Sequence, residues 1–142
     1  MCMHRRDWDA QTTASMIAAL APGSVPRAWV SLGNPCTSVF VPCFPPAIPP
    51  ELADAAQWRR FAHVRDLVEA DPDRLAHVRQ VLGATEAELW SEADAAFASG
   101  DAARLAAFAG TSFPAVDAAL RRLGIEAPTT VAPTTDGVTK DR

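Results

Sequence analysis

Pro42, Pro45, Pro46, Pro49 and Pro50 fall within one short segment, and they divide this chain into two parts that cannot fold by the same rule. Each proline fixes φ and removes a backbone donor, so neither a central strand nor a helix interior can run through the segment. Before it, apolar residues alternate or cluster in short runs. After it, they recur every three or four positions. The cluster therefore reads as an extended connector between a strand-rich part, residues 1–49, and a helical part, residues 50–126. Its PxxP spacing also suits an aromatic-lined partner groove, although the connector reading explains it with fewer assumptions.

In the first part, Ala14 to Leu20 is an apolar run closed by Ala21-Pro22-Gly23. Arg27 to Leu32 follows, with Ala28, Val30 and Leu32 on one face and Trp29 on the other. Gly33-Asn34-Pro35 signals a turn, and Thr37 to Val41 is β-branched and aromatic, as a third strand would be. Three strands are too few to stand alone and require a covering layer.

In the second part, Trp58, Phe61, Val64 and Val68, with Leu67 beside them, form one helical stripe. Arg59, Arg60, His63 and Asp66 fall opposite, where solvent is expected. Asp71-Pro72 supplies an N-cap and first-turn proline for a long second helix. Its stripe runs through Leu75, Val78, Leu82, Leu89, Ala93, Ala96 and Phe97, with Gly83 and Thr85 marking a kink or break. Glu86, Glu88, Glu92 and Asp94 read as its solvated face. Gly100 ends it. Two shorter helices, Asp101–Ala109 and Pro114–Leu123, are predicted beyond, stopped by Gly110 and Gly124. From Ala127 the Pro, Thr, Gly and charged residues predict a disordered tail, residues 127–142. The fold class expected is α+β, antiparallel strands followed by a helical C-terminal region.

The chain has 142 residues and a formal charge of −4, which speaks against a nucleic-acid partner. No apolar run is long enough for a membrane span, and the N-terminus does not read as a signal peptide; a cytoplasmic protein is expected. Cys2, Cys36 and Cys43 are an odd set without CxxC spacing, so reduced thiols are expected, with no metal and no cofactor.

The candidate reactive groups lie mostly in the strand part. Cys2 with a free α-amine would resemble an N-terminal nucleophile, and His4, two residues on, would share its strand face. Cys36 sits at a turn ahead of Thr37 and Ser38. Asn34 either builds that turn or presents its amide to a cleft. Thr13 and Ser15 belong to a hydroxyl-rich strand entrance. His63 and His77 read as surface groups flanked by arginine.

Cys2-Met3-His4, Gln11 to Met16 and Gly33 to Phe40 together resemble the later half of the secernin-like cysteine dipeptidases, members of the N-terminal-nucleophile hydrolase superfamily. The resemblance spans about residues 2–100 and is looser over Trp58–Arg65 and Leu75–Leu89. It implies part of an αββα fold and cleavage of peptide or amide bonds by cysteine-nucleophile chemistry. It also implies that the nucleophile belongs to an upstream half absent from this chain, which would then be inactive alone. Cys2 and His4 correspond to internal strand positions in that pattern, which leaves them weak catalytic candidates. Thr13, Ser15, Asn34 and Cys36 would line the substrate site for a small peptide. The partner implied is the N-terminal half of the same enzyme. The alternative is a non-catalytic α+β interaction module that binds a protein partner through an uncovered sheet.

Overall fold

The computed structural model describes residues 12–126. Strands β1 (Ala14–Ala19), β2 (Arg27–Leu32) and β3 (Val41–Cys43) are followed by helices α1 (Ala55–Ala70), α2 (Arg74–Ala98) and α3 (Ala102–Arg122). The fold is α+β: an antiparallel sheet in the order β1-β2-β3, then three helices. Cys2, His4 and the 127–142 tail lie outside the described residues. No helix among the described residues is long and apolar enough to cross a membrane.

β1 and β2 form a hairpin through the turn at Ala21, where Ser24 N–H donates to the Ala21 carbonyl. The third strand differs from the Thr37–Val41 expected. Pro35–Thr37 is a single 3-10 turn, and pairing begins only at Val41. Pro42 therefore lies inside β3, opposite Trp29. A proline is tolerated there because β3 is an edge strand of this three-stranded sheet, where a missing donor need not break the ladder.

The helices depart from expectation at three points. Asp71 caps the C-terminus of α1 and accepts from Arg74 Nε, so α2 starts at Arg74 and not at Pro72. Gly83 and Thr85 are accommodated without interrupting α2, while Leu75 is exposed. The two short helices expected at the end are one, α3, running through Gly110 and Pro114. The reason is a stripe that never breaks: Leu105, Phe108, Ala109, Ser112, Phe113, Val116, Ala119 and Leu120 are all buried. A proline costs a helix interior about 3 kcal/mol. Burying several large side chains such as Phe113, Val116 and Leu120 outweighs it, at about 1.5–3 kcal/mol each. Asp54 and Asp101 cap α1 and α3 by accepting from the N–H groups of Ala56 and Ala103, both at 2.8 Å.

The core joins all three helices to the sheet through Phe61, Val64, Leu82, Leu89, Phe113, Leu120 and Val41. Phe44, just past β3, packs on Phe97 of α2 and Phe108 of α3. Trp29 of β2 meets Trp90 of α2, and Arg27 lies over Phe97 and pairs with Asp94. Arg60, expected in solvent, is 5% exposed. It ion-pairs with Asp117 of α3, donates to Gln57 Oε1 at 2.9 Å and donates to the Ile125 carbonyl at 3.3 Å. The arginine is a buried tie between α1 and the end of α3.

Candidate functional site

The register of the hairpin brings most of the described candidates to one end of the sheet. Ser15 lies directly opposite Ser31, so the two hydroxyls share a face. Two residues before Ser15, just ahead of β1, the Thr13 carbonyl accepts from Gly33 N–H at 2.7 Å and from the Trp58 indole at 2.8 Å. Gly33 leads into Asn34 and the 3-10 turn that carries Cys36. Thr13, Ser15, Asn34 and Cys36 thus cluster where β1 begins and β2 ends, against α1.

Their exposures differ. Thr13 is exposed at the rim, Ser15 and Cys36 are half-buried, and Asn34 is fully enclosed. The Asn34 carbonyl accepts from Thr37 N–H at 2.9 Å and from Thr37 Oγ1 at 3.3 Å. Asn34 therefore builds the turn. Ser31, Thr37 and Ser38 are buried beside it, and the Ser31 and Ser38 hydroxyls have no hydrogen-bond partner. A buried hydroxyl left unpaired costs about 1–3 kcal/mol, so a pair of them at one end of a sheet calls for an explanation. Ser31 was not among the residues singled out from sequence. The signal for it lay in the alternation of β2, which places it on the Trp29 face, but its opposition to Ser15 appears only with the register.

Helix α2 fixes the segment after the turn. Arg79 donates to the Ser38 carbonyl at 3.1 Å, Glu86 accepts from Phe40 N–H at 2.7 Å, and the Trp90 indole donates to the Phe40 carbonyl at 2.9 Å. Positions 79, 86 and 90 share one face of the helix. Glu86, expected on a solvated face, instead anchors the strand part, while Asp94 stays exposed as expected and still pairs with Arg27; a carboxylate at this spacing gives no sequence sign of its distant partner.

Gly33 shows how closely the turn meets α1. Its φ is +75°, and a Cβ built there would lie 3.3 Å from the Phe61 Cβ. Gly33→Ala combines a left-handed backbone with crowding against a buried side chain. We expect a loss of about 1–3 kcal/mol, checked by urea denaturation. Gly23→Ala, with φ +73° but nothing within 4 Å, is expected to lose less, since only the backbone term applies.

Neither Cys36 nor Cys43 is in a disulfide. Burial pushes the Cys43 thiol up, which keeps it protonated and unsuited to nucleophilic attack. His63 and His77 are exposed on the helices, distant in sequence from the hydroxyl cluster. Among the described residues no three His, Cys, Asp or Glu side chains gather to hold a metal. The cluster can donate hydrogen bonds and position a polar chain. No known family model, curated protein or solved structure matches this chain.

β1 itself is bare. Ile17, opposite Trp29, is 53% exposed on one face, and Met16, opposite Val30, is 70% exposed on the other. Leu20 follows at the strand end and is also exposed. Among the described residues, α2 meets β2 and β3, while β1 is largely exposed on both faces.

Proposed function

We propose that this chain supplies the hydroxyl-bearing half of a secernin-like, cysteine-dependent dipeptidase or amidohydrolase. The nucleophile comes from a separate polypeptide segment, and on its own the chain is inactive. The observation that carries this reading is the exposure of Met16 and Ile17 on opposite faces of one edge strand, next to buried hydroxyls without partners. An uncharged strand free of proline and apolar on both faces lacks every usual protection of a sheet edge. It is suited to continuing into a larger sheet with layers on both sides, as in an αββα fold. A segment added at this edge would bring a thiolate near Thr13, Ser15, Ser31 and Cys36. The thiolate would attack the carbonyl carbon of a small peptide, expel the amine and leave a thioester for water to hydrolyse.

A mixing assay tests this. The chain alone is expected to hydrolyse dipeptides at background rate. Adding the nucleophile-bearing N-terminal segment of a secernin-like dipeptidase is expected to produce hydrolysis. Ile17→Lys, which places a charge on the exposed strand and touches no reacting group, should reduce that restored rate at least tenfold with little effect on the chain's own stability. Hydrolysis that is equally slow with and without the segment contradicts the reading.

The second reading is a non-catalytic module that docks a protein partner on the same strand. What favours it is the apolar exposure of Met16, Ile17 and Leu20 on β1, which a partner can cover without any chemistry. Binding of the segment without hydrolysis would select it.

A further inference from the structure

On α1, Trp58 and Phe61 lie toward the hairpin, and Arg59, Arg60 and His63 occupy the opposite arc. That arc forms one wall of a groove of about 400 Å³, whose other wall is Gly124, Ile125 and Glu126. A second groove of about 230 Å³ is bordered by Arg74, His77 and Arg122 over a floor that includes Val64, Leu67 and Val78. Ile125 lines both, so the two adjoin.

The charge here runs against the rest of the protein. In a chain of net charge −4, four arginines and both described histidines line these grooves, with Glu126 as the one carboxylate in the lining; Arg60 is paired with Asp117 of α3. Among the described residues, the side chains of Arg59, His63, His77 and Arg122 make no hydrogen bond or ion pair, whereas Arg74 pairs with Asp71. Arg60 adds the sharper observation. It is 5% exposed, and its Nε is buried without a partner. The Nη2 group bonds the Ile125 carbonyl in the groove wall, and Nε–H lies on the same edge of the guanidinium. Nη2 is engaged by that carbonyl, so Nε–H is the donor of this edge left for an anionic oxygen.

We propose that these adjoining grooves bind a small organic carboxylate, its anionic group held by Arg59 and Arg60 and its apolar body resting on Ile125 and Val64. The combined volume suits a small molecule, and the mix of apolar floor and few charged groups is the usual make-up of such a site. Glu126 stands at the rim and opposes the anion. The site is independent of the sheet edge and of any hydrolytic function.

Phenylacetate titrated into the full chain by calorimetry tests the assignment, with phenylacetamide as the neutral isostere and inorganic phosphate as an anion without an apolar body. The expected Kd for phenylacetate is on the order of a few millimolar, typical of a ligand this small. Phenylacetamide and phosphate should each bind at least about fivefold more weakly. Arg59→Gln, at an exposed position that leaves the Arg60–Asp117 pair intact, should weaken phenylacetate about fivefold, the scale of one partly exposed charge pair. Glu126→Gln should tighten it. Equal binding of the acid and the amide, tighter binding of phosphate, no saturation by about 20 mM, or indifference to Arg59→Gln would each overturn the proposal.

Discussion

Replacing Phe61 with alanine is expected to lower stability by about 3–5 kcal/mol, a large fraction of the total stability of a typical domain. Phe61 is 1% exposed and belongs to the main core cluster. Its Cβ and backbone also form the surface against which Gly33 closes. The substitution thus removes aromatic area and leaves a void at the junction of α1 with the β2–β3 connection. Partial collapse is difficult there, because Trp58 is already committed to the Thr13 carbonyl. Phe61→Leu retains most of the volume and is expected to lose less than half as much. Urea denaturation of the three proteins measures the differences, provided that each unfolds in one transition. A loss below about 1 kcal/mol for Phe61→Ala would show that the hairpin end does not depend on α1.

Asp117→Ala is the second large effect, expected at about 3 kcal/mol. The change leaves the Arg60 guanidinium buried with only Gln57 Oε1 and the Ile125 carbonyl as acceptors. Asp117 itself is partly exposed, so the estimate sits at the low end for a broken buried pair. The cost lies in the stranded charge more than in the lost attraction. Arg60→Met together with Asp117→Ala should therefore recover much of the stability lost in Asp117→Ala. If the double variant is as unstable as the sum of the two single ones, the pair acts through packing and not through charge.

Much of the fold was legible because local signals agreed with tertiary demands. The alternation in Arg27–Leu32 gave β2 residue for residue, with Trp29 on the side that meets α2. Gly100 and Gly124, with φ of +66° and +77°, mark the ends of α2 and α3 as their positions suggested. Local signals failed where a distant contact overrode them. Gly110 and Pro114 read as breakers, yet one apolar stripe continues across both, and its burial against α2 dominates. Arg60 read as a surface residue because nothing near it in sequence announces Asp117, fifty-seven positions on. The same holds for Glu86, whose partner Phe40 lies in the strand part.

The candidate site was legible to a lesser degree. Thr13, Ser15, Asn34 and Cys36 do gather at one end of the hairpin, because the Ala14–Leu32 register brings the start of β1 to the end of β2. Burial was not readable: Asn34 is enclosed in the turn that its own carbonyl organises, and Ser31 joins the cluster only through the register. Cys2 and His4 lie outside the described residues.

In the proposed assembly, the outer edge of β1 takes up a further strand. Hydrogen exchange across residues 14–19, followed with and without the nucleophile-bearing segment, tests it most directly. The account predicts amides of β1 that exchange much faster than those of β2 in the chain alone, then slow at least tenfold on adding the segment, with α3 unchanged. If β1 is unaffected by the segment, or is already as protected as β2 without it, the edge is not the docking surface and the proposed assembly is wrong.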